Sequence, residues 1–236
     1  MSPDALQKLQ KSDPVMKRLI KEIGPLDFKA RTKRSPFESL VQAVAHQQLH
    51  GKAAQTILAR FVALFAGNQF PKPEQIAAIP DDVLRGCGFS RAKVLAIQDI
   101  ARKSLDGVIP SSRQIVKLSD EEIISRLTEV RGVGRWTVEM LLIFQLGRPD
   151  VLPVDDFGVR NGFQIAYGLP EHPTKRQLAE HGACWQPYRS TAALYLWRAA
   201  DTSKVKLVKG DQAVVGTANQ VPDRSPGRKS QTTLDT

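Results

Sequence analysis

The stretch that decides the fold is Leu127-Thr-Glu-Val-Arg-Gly-Val-Gly-Arg-Trp-Thr137, in which Gly132 and Gly134 separate two helical patterns. One helix is predicted to end near Val130, and a second, strongly apolar helix runs from the glycines to about Leu146. The first amide groups of a helix lack intrahelical partners, and with the positive end of its dipole they can bind a phosphate. Two glycines between helices more often make a plain interhelical turn, so this stretch alone does not establish phosphate binding.

On either side of this stretch, helix-start signals alternate with apolar residues at helical spacing. Ser35-Pro36-Phe37-Glu38 is a capping box with proline in the first turn, and Ser119 with Glu122 forms another. The segment 151–154 is short and contains Pro153, so it does not predict a strand. The predicted fold class is therefore all-α.

Composition sets the class of partner and the domain limits. The chain has 236 residues, a formal net charge of +10 and a pI near 9.8, which suit a polyanionic partner but are weak evidence alone. Without a membrane-length apolar run or a secretory signal, it is expected to be soluble, intracellular and free of membrane contact. Residues 1–205 are predicted to form one helical domain, and the polar, basic segment 206–236 a flexible, disordered tail.

The cysteines and histidines exclude most metal chemistry. Cys87 and Cys184 cannot form a paired thiolate motif, and two cysteines cannot hold an ordinary iron–sulfur cluster. The four histidines are scattered and form no HExxH pair. We therefore expect no required cofactor and no iron–sulfur cluster.

A second motif makes a resemblance specific. The pattern L-x-x-x-x-G-V-G-x-x-T resembles the helix-hairpin-helix of the DNA glycosylase superfamily, in which an aspartate follows at the start of the next helix. Here Leu152-Pro-Val-Asp-Asp-Phe-Gly-Val-Arg160 lies about twenty residues on, and Trp185-Gln-Pro-Tyr-Arg-Ser190 matches a Trp-x-Pro-x-Arg-Ser segment of one branch. That branch is the 3-methyladenine DNA glycosylase II, or alkylbase, type. The resemblance covers about residues 36–200.

The resemblance implies two helical subdomains with the active site in the cleft between them and a hairpin at about 127–146. About 35 residues precede the first core helix, so the chain resembles the compact form that lacks an N-terminal β-domain.

Of the paired aspartates, the resemblance makes Asp156 the catalytic carboxylate. Asp155 is expected to be the helix N-cap or a solvated neighbour, and simple capping is the alternative for both. Superfamily members that also cut the strand carry a lysine where this chain has Trp136, and neither Lys52 nor Lys93 matches that position. A monofunctional enzyme without lyase activity is therefore predicted.

The resemblance also assigns a base pocket, a wedge and a DNA-contacting surface. The pocket is assigned to aromatic and apolar side chains, for which core packing is the alternative: Trp136, Met140, Phe157 and Trp197. The wedge that replaces a flipped base is Leu49 or His50, with Gln47 and Gln48 reading the orphaned base or bracing the loop. The predicted DNA-binding residues are Gln48, Leu49, His50, Lys52, Gly132, Val133, Gly134, Arg135 and Thr137. A structural Na⁺ or K⁺ is assigned to the main-chain carbonyls of Thr128, Val130 and Gly132.

The predicted function is excision of alkylated purines in base excision repair by flipping the base and hydrolysing its glycosidic bond. 3-Methyladenine is the first substrate, extending to 7-methylguanine and 1,N6-ethenoadenine. The predicted partner is double-stranded DNA containing alkylated bases, bound by a monomer located with DNA. Two alternatives stay open: a non-catalytic DNA-binding protein and a glycosylase for deaminated purines.

Overall fold

The computed structural model describes the backbone of residues 1–30 and 34–216, and their side chains up to residue 202 except at Asn68. These residues form thirteen α-helices and two short 3-10 helices, with no strand among them, which confirms the all-α class. The first seven helices are α1 (Pro3–Ser12), α2 (Pro14–Ile23), α3 (Pro36–His46), α4 (Gly51–Ala63), α5 (Pro73–Ala77), α6 (Asp81–Gly86) and α7 (Arg91–Leu105). The others are α8 (Ser112–Ile115), α9 (Asp120–Thr128), α10 (Arg135–Phe144), α11 (Phe157–Tyr167), α12 (Lys175–Gly182) and α13 (Arg189–Gly216). The 3-10 helices are Ala66–Asn68 and Ala183–Trp185.

The predicted capping residues begin their helices. The Ser35 hydroxyl accepts a hydrogen bond from the Glu38 amide at 3.1 Å, and Pro36 occupies the first turn of α3. At α9, the Ser119 hydroxyl and the Glu122 carboxylate form the reciprocal capping box. Local sequence therefore determines where these two helices start.

Two hydrophobic cores lie within the compact unit Met1–Ala200. The first is built from α3 to α10, and the second joins α1 and α2 to α11, α12 and the first part of α13. Trp197 packs against both cores, so it lies where the two helical groups meet. The N-terminal segment is therefore part of the second helical group, which the sequence did not indicate.

A buried carboxylate joins the second core. One oxygen of Asp13 caps α2, and the other accepts hydrogen bonds from Trp185 Nε1 at 2.8 Å, from His181 Nε2 at 3.0 Å and from the Tyr167 hydroxyl. Burial raises the pKa of Asp13, but the hydrogen bonds from these three side chains outweigh it and hold the pKa below the ordinary value. The ionised carboxylate therefore links α2 to α11, to α12 and to the 3-10 helix Ala183–Trp185.

Close backbone contact sets the distance between α11 and α13. A methyl group at Gly162 would lie 1.9 Å from the Leu196 carbonyl oxygen, so only glycine fits there.

The second compact unit begins at Asp201, and the backbone of α13 is helical to Gly216. The segment predicted to be a flexible tail, 206–236, starts within this helix and continues from 217 outside the described residues. Its flexibility stays a prediction.

Candidate active site and DNA-binding surface

The hairpin turn is held by the helix beneath it. Gly132 adopts a left-handed φ of +74°, and a Cβ added there would lie 3.2 Å from the Ala96 side chain on α7. Asp99, also on α7, accepts a hydrogen bond from the Arg131 amide at 2.8 Å. α10 begins after Gly134, which provides no side-chain cap. The first amides of α10 therefore have no side chain of their own N-cap to satisfy them, as a phosphate site requires.

Asp156 is a buried carboxylate held by three donors. Oδ1 accepts the Trp197 indole N–H at 2.7 Å and the Val159 amide at 2.8 Å, and Oδ2 accepts the Trp136 indole N–H at 2.8 Å. Because Trp136 is the second residue of α10 and Trp197 lies on α13, helices of both cores orient this one side chain. Its relative exposure is only 8%, so it is an oriented acceptor largely shielded from solvent.

Of the two adjacent aspartates, Asp156 and not Asp155 is the N-cap of α11. The prediction of Asp155 as N-cap is wrong, because Asp156 caps α11 through the Val159 amide. Asp155 is exposed and forms an ion pair with Lys175, as a solvated neighbour would. Asp156 caps α11 through Oδ1 alone, so capping does not prevent its carboxylate from also taking part in chemistry.

A cavity of about 640 Å³ opens between α3 and α10. Its wall joins the turn after α3 to the start of α10, and includes Leu40, Gln42, Ala43, His46, Gln47, Gln48, Trp136, Thr137, Met140, Leu141, Phe144 and Gln145. Arg34 and Ser39 also line it, and Arg34 pairs with Glu38. Ser39 Oγ and Gln145 Oε1 have no hydrogen-bond partner within the described part of the chain, but both atoms are buried and do not open into the cavity. Between Arg34 and the other polar side chains the wall is largely apolar, which suits a planar ring with polar edges.

The four predicted pocket residues take different places. Trp136 and Met140 line the cavity, and Trp136 also donates to Asp156, so one indole joins cavity and carboxylate. Trp197 does not line the cavity, but it contacts Phe144, which does. The two rings are tilted against each other, with centroids 5.5 Å apart. Phe157 is 64% exposed and meets the His172 ring edge-on. Its side chain does not line the cavity.

Three residues predicted to bind DNA are either paired with other protein side chains or buried. Arg135 Nη2 pairs with Glu121 at 2.9 Å and its Nε with the buried Glu139 at 3.1 Å. Burial raises the pKa of Glu139, and the Arg135 charge partly offsets this effect. Thr137 and Val133 are buried, so only main-chain groups of these two residues could face a phosphate.

The predicted wedge residues lie together on an exposed turn between α3 and α4. Gln48 has a left-handed φ of +56°, Leu49 is 39% exposed, and His50 and Lys52 are exposed. Gln47 braces this turn against the hairpin, because its Nε2 donates to the Gly132 carbonyl at 2.9 Å. The structure therefore brings the turn and the hairpin together.

The predicted cation ligands lie on the hairpin turn, and two of their carbonyls already accept hydrogen bonds. The Val130 carbonyl accepts the Val133 amide at 3.0 Å, and the Gly132 carbonyl accepts the Gln47 amide. Thr128 uses its hydroxyl to donate to the Ile124 carbonyl at 2.7 Å. Na⁺ or K⁺ at these carbonyls stays a prediction.

Two residues at the site escaped sequence reasoning. A methyl group at Gly158 would lie 2.7 Å from Trp197 Cδ1 and 3.1 Å from Asp156 Oδ1. The absence of a side chain at Gly158 therefore leaves room for the Trp197 indole to reach the Asp156 carboxylate. Lys93 Nζ donates to the carbonyls of Ala45 and Gln47, both at 2.8 Å. A glycine two residues after Asp156 was visible in the sequence, whereas nothing there connected Lys93 to the turn.

Fold and site together define a class of protein. An uncapped helix start beside a tight glycine turn, an exposed turn next to it and an indole-held carboxylate beside a ring-sized cavity are the parts of a helix-hairpin-helix DNA glycosylase. The chain belongs to the HhH-GPD superfamily of base excision DNA repair proteins, whose profile matches residues 41–187.

Individual relatives agree with this membership. The chain is 44% identical over 194 residues to DNA-3-methyladenine glycosylase 1 of Schizosaccharomyces pombe, covering 82% of this chain and 84% of that protein. The structure of the S. pombe 3-methyladenine DNA glycosylase in complex with abasic DNA is 43% identical, with a TM-score of 0.74 over 83% of this chain and 95% of the other. DNA-3-methyladenine glycosidase from Bacillus halodurans is 35% identical, with a TM-score of 0.78 over 86% of this chain and 91% of its own.

No helix within the described residues is both long and apolar enough to pass through a lipid bilayer.

Proposed function

We propose that this protein is a monofunctional DNA glycosylase that removes alkylated purines, first of all 3-methyladenine, and leaves an abasic site. The observation that carries the proposal is the Asp156 carboxylate, held by two indoles beside a cavity of about 640 Å³. The names of the S. pombe and B. halodurans relatives support the same substrate class.

The chemistry needs one oriented carboxylate. Cleavage of an N-glycosidic bond builds positive charge on the sugar, which an ionised Asp156 would stabilise while orienting the attacking water. A 3-methylated adenine already carries positive charge, so it departs without a strong general acid. The hydrogen bonds from Trp136, Trp197 and Val159 hold the Asp156 carboxylate in one orientation.

The cavity suits a flipped, cationic purine. Trp136 lines its wall, and an indole ring can attract a positively charged ring, worth about 0.5–2 kcal/mol. 7-Methylguanine, which is also cationic, belongs to the proposed range on the same grounds. 1,N6-Ethenoadenine is uncharged, and it belongs to the range because its planar aromatic ring can stack on the same indole.

The absence of strand cleavage is part of the proposal. The position of the Schiff-base lysine holds Trp136, and the ammonium of Lys93 is directed at the carbonyls of Ala45 and Gln47. Neither side chain offers a free amine to the sugar of a base placed near Asp156.

DNA would be held by main-chain groups and opened by the turn. The amides at Gly132–Gly134 and the start of α10 would bind phosphate, Leu49 or His50 would fill the gap left by the base, and Lys52 would add a backbone contact. Arg135 would contribute indirectly, because Glu121 and Glu139 already pair with it. The Gly132 carbonyl has a second lone pair that could serve a Na⁺ or K⁺ beside Gln47. We further propose a monomer that acts where double-stranded DNA is present.

Incubation with methylated duplex DNA tests the proposal. Free 3-methyladenine should appear, and the strand should remain uncut until alkali cleaves the abasic site. Cutting without alkali would contradict the monofunctional mechanism. Release of hypoxanthine from deaminated DNA, with no release of methylated purines, would favour the deaminated-purine alternative. Tight binding with no base released from either DNA would favour a non-catalytic binder.

A further inference from the structure

The turn that carries the proposed wedge is not stable by its own geometry. Gln48 holds a left-handed backbone with φ +56°, which costs a non-glycine residue free energy unless its surroundings impose it. The exposed Leu49 follows directly, and its amide donates to the His46 carbonyl at 3.2 Å. The turn therefore depends on contacts from elsewhere.

Lys93 supplies those contacts from α7. Its ammonium donates to the carbonyls of Ala45 and Gln47, on either side of the last residue of α3, at 2.8 Å each. A cation at this end of a helix satisfies unpaired carbonyls and complements the dipole. Burial lowers the pKa of Lys93, and the two carbonyl oxygens replace the water that its ammonium has lost.

The same helix also supports the hairpin. Residues 93, 96 and 99 follow at intervals of three and so lie on one side of α7. Lys93 reaches the turn, Ala96 packs under Gly132, and Asp99 accepts the Arg131 amide. Gln47 completes the link, because its side chain donates to Gly132 while its carbonyl accepts from Lys93.

We propose that Lys93 is a positioning residue for base flipping, which fixes the 47–50 turn at a set distance from the hairpin. When the hairpin amides hold a phosphate, the wedge residue of this turn, Leu49 or His50, is then placed at the base step next to that phosphate. This inference rests on the proposed function. Lys93 does not touch the base; it acts through the turn.

The test compares lesions that are hard and easy to flip. Lys93→Met keeps the length and packing of the stem but loses the donors, and Lys93→Arg retains donors for both carbonyls. Single-turnover release of 3-methyladenine from a fully paired duplex should fall about tenfold in Lys93→Met. The fall should be much smaller when the lesion faces an abasic site, where unpairing costs little. Lys93→Arg should recover most of the difference.

A matched control separates positioning from general weakening. Arg148 likewise donates to main-chain carbonyls, those of Ile115, Val116 and Leu118 at the end of α8 and just after it, and its Nε also pairs with Asp120. Arg148→Met should leave the ratio of paired to unpaired release unchanged. An equal loss on both DNAs in Lys93→Met, or no loss, would overturn the inference, whereas a wild type that releases no base would overturn the proposed function instead.

Insertion can also be followed without cleavage. In duplex DNA with a reduced abasic site opposite 2-aminopurine, entry of the wedge should change the fluorescence of the 2-aminopurine. Lys93→Met should reduce this change at saturating protein, while a wild-type signal in Lys93→Met would count against the inference whether or not the protein releases a base.

Discussion

Gly158→Ala should lower base excision more than it weakens the fold. The added methyl group would lie 2.7 Å from Trp197 Cδ1, where ordinary contacts begin at 3.4 Å. It would also lie 3.0 Å from the indole nitrogen that donates to Asp156. Because the methyl group is fixed to the α11 backbone, the indole must move away, and its hydrogen bond of 2.7 Å to Oδ1 is lost.

The size of the effect follows from the lost bond. A hydrogen bond to a charged group contributes about 1.5–3 kcal/mol, and each 1.36 kcal/mol at the transition state is about tenfold in rate. The predicted loss in the cleavage step is therefore about 10- to 150-fold. Alanine favours a helix over glycine by up to about 1 kcal/mol, which offsets only part of the lost hydrogen bond, so the free energy of unfolding should fall by about 0.5–2 kcal/mol.

The assay is single-turnover release of 3-methyladenine at saturating protein, with denaturant unfolding measured in parallel. Gly86→Ala is the matched control, since Gly86 is also helical and a methyl group there meets nothing within 4 Å; it should leave the rate of release unchanged and raise the free energy of unfolding by at most about 1 kcal/mol. Trp197→Phe removes the same donor, so the double variant Gly158→Ala/Trp197→Phe should be no slower than Trp197→Phe alone. A wild-type rate in Gly158→Ala, or losses that multiply in the double variant, would refute the reasoning.

Two further predictions concern the second core. Gly162→Ala should destabilise the fold by about 3 kcal/mol or more, because the methyl group meets the Leu196 carbonyl at 1.9 Å and α11 must move from α13; an unchanged melting temperature would contradict this contact. Asp13→Asn should cost about 1–3 kcal/mol at neutral pH, because an amide nitrogen would face the Trp185 indole N–H. Since the pKa of Asp13 in the folded protein is below the ordinary 3.8, its stabilisation is complete above pH 3.8 and is lost as the pH falls through the folded value. The difference in melting temperature between wild type and Asp13→Asn should therefore narrow on acidification, and a constant difference down to about pH 2 would exclude this role.

Local signals in the sequence were sufficient for the helical fold and the hairpin. The capping boxes at Ser35 and Ser119 and the glycine turn at Gly132 act over a few residues, so they can be read without tertiary structure. The glycine turn and Asp156, about twenty residues later, together indicated a resemblance to a family, and the chain's membership of that family confirms it.

Long-range partners could not be predicted in the same way. Arg135 pairs with Glu121 fourteen residues away, and Lys93 finds carbonyls 46 and 48 residues earlier in the chain. In each case the partners lie on different helices or turns, so no local pattern marks them. The N-cap of α11 was assigned to Asp155 for a different reason, because either of two adjacent aspartates can cap a helix and only the backbone decides between them.

The central claim is that the Asp156 carboxylate stabilises the positive charge that develops on the sugar as the base leaves, and Asp156→Asn tests it most directly. Asparagine caps a helix as well as aspartate does, so α11 should keep its start while the charge is removed. Single-turnover release of 3-methyladenine should fall by about 10²–10³-fold, with binding to abasic DNA retained. Undiminished release by Asp156→Asn would contradict the claim.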